Sequence, residues 1–300
     1  MSIFIDGEKL ERVFSQGVFT EGPAADDKGN VFFSDCSENI IYVYNEFDNT
    51  TKIWSADSGH ANGMNFDHQG RLVTCCDGKK YESSEKGGAH AVRRYEKNGE
   101  VVDLATSYSG KKLNGPNDLC FDEAGNIYFT DPRYGFDEDI EQDCMAVYKI
   151  DNELKITRVI SDLQYPNGIL ISKDNTKLYI VDHNPKPGGK RTLEEYVLQA
   201  SVWKWNRTLL DFKDGYGMDG MVLDTNGNLY VTGGEGEKAG VYVIDPDGKH
   251  LGFIATGEIP GNCTFGGKNL DTLYIAASTS LYKIKLNARG YLAFPRPAHD

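Results

Sequence analysis

Short apolar segments alternate along this chain with turns rich in Asp, Gly and Asn, and the unit apolar segment, turn, apolar segment occurs six times. The copies read EGPAADDKGNVFFSD from Glu21, NGMNFDHQGRLVTCCD from Asn62, NDLCFDEAGNIYFTD from Asn117, NGILISKDNTKLYIVD from Asn167, DGMVLDTNGNLYVT from Asp219 and NCTFGGKNLDTLYIAAS from Asn262. Apolar runs this short, bounded by turn residues, predict β-strands, and D-x-x-G-N predicts the hairpin turn between two of them. Asp caps such a turn through its side chain, and Gly takes the positive φ that follows, as at Asp26–Asn30, Asp122–Asn126 and Asp224–Asn228. Third strands are expected at IIYVYN from Ile40, AVRRYEKNG from Ala91, AVYKIDNE from Ala146, SVWKWN from Ser201, GVYVIDPDG from Gly240 and SLYKIKLN from Ser280. Repeats that begin roughly every 40–55 residues and hold several short strands each are the mark of a β-propeller, one blade per repeat. The pattern therefore predicts an all-β, six-bladed β-propeller.

The last repeat lacks an obvious fourth strand, and the segment Glu8–Phe14 (EKLERVF) is expected to supply it. Closing a propeller with its N-terminal strand removes exposed edges. Two stretches break the rhythm, Gly78–Ala89 (GKKYESSEKGGA) and His183–Tyr196 (HNPKPGGKRTLEEY), and both read as long loops able to shape a substrate mouth.

The length of 300 residues suits one propeller domain spanning residues 1–300. A formal charge of −13 opposes binding to nucleic acid or anionic membranes, since phosphate-backbone recognition needs a basic patch. No segment reaches the length of about 18 apolar residues that a bilayer span needs, and the N-terminus lacks the apolar run of a signal peptide. A cytoplasmic location is the resulting expectation. Six cysteines without CxxC spacing read as reduced core residues, and the adjacent Cys75 and Cys76 as packing on the two faces of a strand. No protein partner is implied.

The register of the repeats carries the chemistry. Five residues separate the opening polar residue from the turn Asp in four copies: Glu21 to Asp26, Asn62 to Asp67, Asn117 to Asp122 and Asp219 to Asp224. A position repeated around a pseudo-symmetric propeller falls on a ring, so Glu21, Asn62, Asn117, Asn167, Asp219 and Asn262 are expected to face one another across the central channel. Their side chains offer carboxylate and carboxamide oxygen, the donors a hard cation such as Ca²⁺ requires, and no His or Cys of a zinc-type site stands in register. An Asn-Gly pair is by itself an ordinary turn former. Turn chemistry does not account for the two acidic members of the set.

Several motifs together resemble one family: EGP at Glu21, LNGPNDL around Asn117, FTDPRYG after Asp131, YPNGI around Asn167, MDGM around Asp219 and CTFGG after Cys263. They are similar to the gluconolactonase, SMP-30 and luciferin-regenerating-enzyme family, its bacterial gluconolactonase branch above all, and more distantly to diisopropyl-fluorophosphatase. The likeness covers nearly the whole chain. It implies one catalytic divalent cation in the channel, usually Ca²⁺, with Mg²⁺, Mn²⁺ or Zn²⁺ as alternatives. The implied ligands are Glu21, Asn167 and Asp219, with Asn117 a fourth ligand or a substrate contact. Two positions depart from the pattern. Animal members carry an Arg that contacts a sugar acid where this chain has Gly115, next to Asn114, and the fluorophosphatase branch has an acidic residue where this chain has Val222.

The implied activity is metal-assisted opening of a lactone, with a sugar lactone as the small-molecule substrate. Asp219 is the expected base, being the shorter carboxylate and standing before Gly220, whose missing side chain is expected to leave room for water or substrate. Glu21, beside Pro23, is suited to anchoring the metal. His60, Asn62, Asn114, Asn117, Tyr134, His183 and Cys263 are the candidates for substrate contacts, whereas His68, His90, His250 and His299 sit in turns or tails and are assigned nothing. Two other functions are compatible with the sequence. In the first, the same cation activates a phosphotriester or phosphorofluoridate with Asp219 as nucleophile, and isotope from solvent water in the first-turnover product separates the two mechanisms. In the second, the propeller is a non-enzymatic binding scaffold, which requires no metal.

Overall fold

Inner strands buried almost throughout, with only Asn65 and Leu170 half-buried, are followed in each repeat by more exposed outer strands. The computed structural model describes residues 2–81, 87–135 and 140–294, so part of the Gly78–Ala89 loop and His299 lie outside the described residues. Blade 1 runs through Thr20–Ala25, Val31–Asp35, Ile40–Asn45 and Thr50–Ser55. Blade 2 comprises Ala61–Phe66, Leu72–Cys76, Ala91–Tyr95 and Val101–Ala105. Blade 3 comprises Leu119–Phe121, Ile127–Asp131, Ala146–Ile150 and Ile156–Ile160. Blade 4 is Pro166–Ile171, Lys177–His183, Arg191–Gln199 and Val202–Asp211, and blade 5 is Met218–Asp224, Leu229–Gly233, Gly240–Ile244 and His250–Ala255. Blade 6 has only three consecutive strands, Pro260–Gly266, Thr272–Ala277 and Ser280–Lys285. Its fourth is Glu11–Phe14, paired antiparallel with Ser280–Lys285, so the N-terminal segment closes the propeller as the pattern predicts. Each inner strand packs on the inner strands of both neighbouring blades, giving a closed six-bladed β-propeller.

The closing strand is fastened by Phe14, which is buried with its ring centroid 5.1 Å from Phe33 and 4.9 Å from Tyr42. Truncating a buried Phe to Ala costs about 3–5 kcal/mol. Phe14→Ala is expected to lower the unfolding free energy by about 3 kcal/mol on that scale, read from the midpoint of denaturant unfolding. A midpoint equal to wild type would mean that the N-terminal strand does not hold the ring shut.

The turn chemistry is as the sequence predicts. Asp26 Oδ1 accepts the N–H groups of Lys28 and Asn30 at 2.9 and 2.8 Å, Oδ2 accepts Asn30 Nδ2 at 2.8 Å, and Gly29 has φ +85°. Asp122 and Asp224 accept their Asn partners in the same way, and Arg71 takes the Asn position at Asp67.

Blade 4 differs from expectation. The stretch His183–Tyr196 is not one loop, since Arg191–Gln199 forms the third strand and SVWKWN begins the fourth. The adjacent Glu194 and Glu195 give that strand a polar signature, yet both are buried. Glu195 is bound by Lys177, Asn206 and Arg207, and Glu194 by Thr192, Trp205 and Thr208, so burial is compensated across the sheet.

The chain beyond blade 6 returns to the propeller axis. Gly290–Tyr291 pairs with the inner strand of blade 5, Leu292 packs in the core between blades 5, 6 and 1, and Phe294 packs against blade 3. Six cysteines are free thiols, five of them buried, in line with the reduced-core expectation. Among the described residues no helix is long and apolar enough to cross a membrane.

Candidate active and metal-binding site

The ring residues lie where the inner strands begin, at ladder irregularities spanning Glu21–Ala24, Ala61–Met64, Pro166–Ile169, Met218–Met221 and Pro260–Asn262. Such bulges re-aim a side chain. The glycines beside them serve close approach between strands. A Cβ at Gly22 would fall 2.1 Å from Asn62 O, at Gly168 2.2 Å from Asp219 O, and at Gly63 2.3 Å from Asp118 Oδ1. Gly220 behaves likewise: its Cβ position is filled by the Asn262 side chain, 2.0 Å away, so the space left by the missing side chain holds Asn262 and not water or substrate.

Acidic residues ending the second strands hold the loops that lead into the ring. Asp35 accepts the N–H groups of Val18 and Phe19, Asp131 those of Asn114 and Gly115, and Asp182 those of Gln164 and Tyr165. Each clamp precedes one ring residue, respectively Glu21, Asn117 and Asn167. Burial pushes the Asp131 carboxyl up to about 7 against the effect of those two N–H groups.

Five ring residues, Glu21, Asn62, Asn117, Asn167 and Asp219, line one cavity of about 230 Å³. Its walls are Phe19, Asp77, Lys79, Tyr81, Gly115, Tyr134, His183, Pro185 and Tyr216. Asn262 faces downward instead, into a smaller void beneath, where its Nδ2 lies 3.3 Å from Asp118 Oδ2. The C-terminal residues Tyr291, Leu292 and Ala293 line that lower void, so the tail closes the channel below the ring.

Glu21, Asp118 and Asp219 are all buried, and none forms an ion pair within 4.0 Å among the described residues. Burial, with Asp118 nearby, pushes the Glu21 carboxyl up to about 8 in spite of the hydrogen bond from Gly22 N–H at 2.8 Å. Burial and the Glu21 and Asp118 charges push Asp219 well above the usual carboxylate range, while burial raises Asp118 to about 6. Buried carboxylates facing one another without a cation are the electrostatic complement of a divalent ion. Asn167 commits its N–H groups to Tyr134 Oη, at 3.3 Å, and to the Asp219 carboxylate, which leaves its carbonyl oxygen for a ligand. Among the described residues no group of three His, Cys, Asp or Glu side chains is arranged to hold a metal ion. What the ring residues lining the cavity offer is two carboxylates and three carboxamides, oxygen donors of the kind a hard cation such as Ca²⁺ takes and unlike the His and Cys of a zinc-type centre.

The substrate-contact candidates divide by position. Asn62, Asn117, Tyr134 and His183 line the cavity. Tyr134 donates to His183 O at 3.0 Å, and burial together with the Arg191 charge lowers His183 to about 4, so its ring is neutral near pH 7. His60, Asn114 and Cys263 are not among the lining residues. His60 stands behind Tyr81, stacked on it at 4.7 Å with Nδ1 2.6 Å from Cys36 O. Asn114 turns its Nδ2 to Asp131 O and Cys144 O, and Cys263 packs with Sγ 3.4 Å from Tyr230 O, facing the lower void. The sequence reading passed over Asp118, because Asn117 beside it fills the ring register, and over Asp77, Lys79, Tyr81 and Tyr216, which lie on irregular segments. The polar, glycine-rich composition of Gly78–Ala89 was the available signal, and its first residues do form a wall of the cavity.

Known proteins place this geometry in context. A gluconolactonase of Zymomonas mobilis is 31% identical over 94% of this chain and 82% of its own length. The lactonase drp35 of Staphylococcus epidermidis is 28% identical over 76% of this chain and 67% of its own. Among solved structures, a gluconolactonase from Xanthomonas campestris superposes with a TM-score of 0.83 at 28% identity, covering 95% of this chain and 91% of that one. The calcium-binding protein regucalcin from Agrobacterium tumefaciens shares the fold, with a TM-score of 0.75 at 16% identity over 100% of this chain and 99% of its own. The model of the SMP-30/gluconolactonase/LRE-like region matches residues 19–279, and the chain belongs to that family.

Proposed function

We propose that this protein is a divalent-cation-dependent lactonase that opens the ring of a small lactone, a sugar lactone first among them, with Ca²⁺ as its ion. The observation that carries this reading is the convergence of Glu21, Asn117, Asn167 and Asp219 on one closed-ended cavity, with buried carboxylates that lack a cationic partner among the described residues. The lactonase relatives support the reaction class.

Those four residues would hold the cation. When bound, a divalent ion supplies the Lewis acidity that polarises a carbonyl oxygen and stabilises the charge developing on it. Glu21, fixed by the Gly22 N–H, anchors. Asp219 takes a proton from the attacking water, whose oxygen bonds to the carbonyl carbon, and returns a proton to the ring oxygen as its bond to that carbon breaks, giving a hydroxy acid. A carboxylate beside a cation is a weak base, which is enough for a reactive ester. Asn167, oriented by Tyr134, keeps Asp219 aligned, and the neutral His183 offers polarity at the wall without charge.

The test is acid release from a panel of aldonolactones by chelator-stripped protein, before and after Ca²⁺ is restored. Activity is expected to vanish on stripping and return with the ion. Full hydrolysis by protein shown to be free of metal would overturn the reading.

A further inference from the structure

Lys79 is the one Lys or Arg among the described residues lining the cavity. Its ammonium forms no ion pair among the described residues, although Glu21, Asp77 and Asp219 line the same space. The ammonium instead lies over the Tyr81 ring, 4.8 Å from its centroid. On its other side stands Gly135, where a Cβ would come within 3.3 Å of Lys79 Cε and 3.5 Å of Nζ, so the side chain bridges two loops at the mouth.

The protein holds this arrangement by itself. Asp77 Oδ1 accepts the Lys79 N–H at 3.0 Å, Asp77 Oδ2 accepts the Tyr81 hydroxyl at 2.7 Å, and Lys79 O accepts the Gly88 N–H at 3.0 Å. His60 backs the Tyr81 ring with a stacked contact of 4.7 Å. Asp77 is thereby occupied. With a divalent ion on Glu21 and Asp219, and with both Asp77 oxygens engaged by the Lys79 N–H and the Tyr81 hydroxyl, the half-buried ammonium is the one cationic side chain that the described lining residues present to a ligand. A neutral lactone makes little use of such a charge, whereas a ligand anion at this position gains a charge-assisted hydrogen bond in partly desolvated surroundings.

We propose that Lys79 is a specificity-determining residue that binds an anionic substituent, carboxylate or phosphate, carried by the lactone away from its reacting carbonyl. This inference rests on the lactonase reading. Anionic lactones are then the preferred substrates, and Lys79 acts through binding with no part in bond breaking.

The experiment compares kcat/KM for 6-phosphogluconolactone, a uronic acid lactone and neutral glucono-1,5-lactone, using Ca²⁺-loaded wild-type, Lys79→Gln and Lys79→Arg proteins. Wild type is expected to favour one anionic lactone, which identifies phosphate or carboxylate as the group bound. In Lys79→Gln the anionic-to-neutral ratio is expected to fall about 10- to 100-fold, chiefly through KM, and Lys79→Arg is expected to restore most of it. A wild-type preference for the neutral lactone, or a parallel loss on all three, would overturn the proposal. Calorimetric titration with gluconate 6-phosphate, glucarate and gluconate separates this failure from that of the parent reading. If no lactone is hydrolysed yet gluconate 6-phosphate or glucarate, each carrying a second anionic group, binds more tightly than gluconate, and Lys79→Gln abolishes the difference, the anion site stands and the lactonase reading falls. Equal binding of all three acids overturns the anion site.

Discussion

Asp219→Asn is expected to lower kcat/KM for lactone hydrolysis at least about a thousandfold and to stay inactive at saturating Ca²⁺. Asn keeps an oxygen donor of nearly the same shape but cannot take a proton. Glu21→Gln is expected to behave differently. It removes the anchoring charge, so apparent Ca²⁺ affinity drops, and excess ion recovers much of the activity. Neither variant is expected to unfold the propeller, because both remove a carboxylate whose ionisation is opposed by burial in the cation-free protein. Activity titrated against Ca²⁺ in the two variants provides the check. Rescue of Asp219→Asn by excess ion would relieve Asp219 of the proton-transfer role and leave it a ligand only.

A second large effect concerns pH. In the cation-free protein, burial raises Glu21 from 4.5 to about 8. A carboxyl raised on folding contributes stability that is fully present below its unfolded pKa and is lost as pH climbs through the folded one, so cation-free protein weakens between about pH 4.5 and 8. A divalent ion held by Glu21 would bind its ionised form and displace the proton. Its apparent affinity is therefore expected to rise about tenfold per pH unit up to about pH 8 through this one proton, and the thermal shift given by Ca²⁺ to be larger at pH 8 than at pH 6. Glu21→Gln is expected to flatten the dependence. Calorimetry in buffers of different ionisation enthalpy would count the released protons. A pH-independent affinity in wild type would mean that Glu21 is already ionised without the cation.

The repeat and its register were legible because they are local facts. Asp26 and Gly29 form their turn whatever surrounds them, and the inner strands need apolar residues on both faces since each blade is covered by two neighbours. The cavity ring followed, because equivalent positions at the starts of the inner strands project onto one circle, although Asn262, whose copy lacks the shared spacing, faces the lower void instead. What escaped depends on distance in sequence. The third strand of blade 4 looks polar until Lys177 and Arg207 are placed beside Glu195. Asn-Gly and Asp-Gly pairs look like turns until Gly22 is seen against Asn62 O and Gly168 against Asp219 O. Asp118 was hidden for a related reason: its neighbour Asn117 holds the register, and only the approach of blades 2 and 6 brings Gly63 and Asn262 onto its carboxylate. The wall of Asp77, Lys79 and Tyr81 has no periodicity to announce it.

The returning tail also fixes an order of events. Tyr291, Leu292 and Ala293 stop the channel beneath the ring, so the axis of the propeller is a blind shaft. Any ion that reaches Glu21 and Asp219 comes through the mouth that the organic ligand also uses, and it leaves the same way. On the proposed function, loading would then be sequential, ion before substrate, and a bound substrate or product would act as a stopper over the ion beneath it. Exchange of labelled Ca²⁺ is then expected to slow as the cavity fills, and the protein under turnover to resist chelators better than at rest.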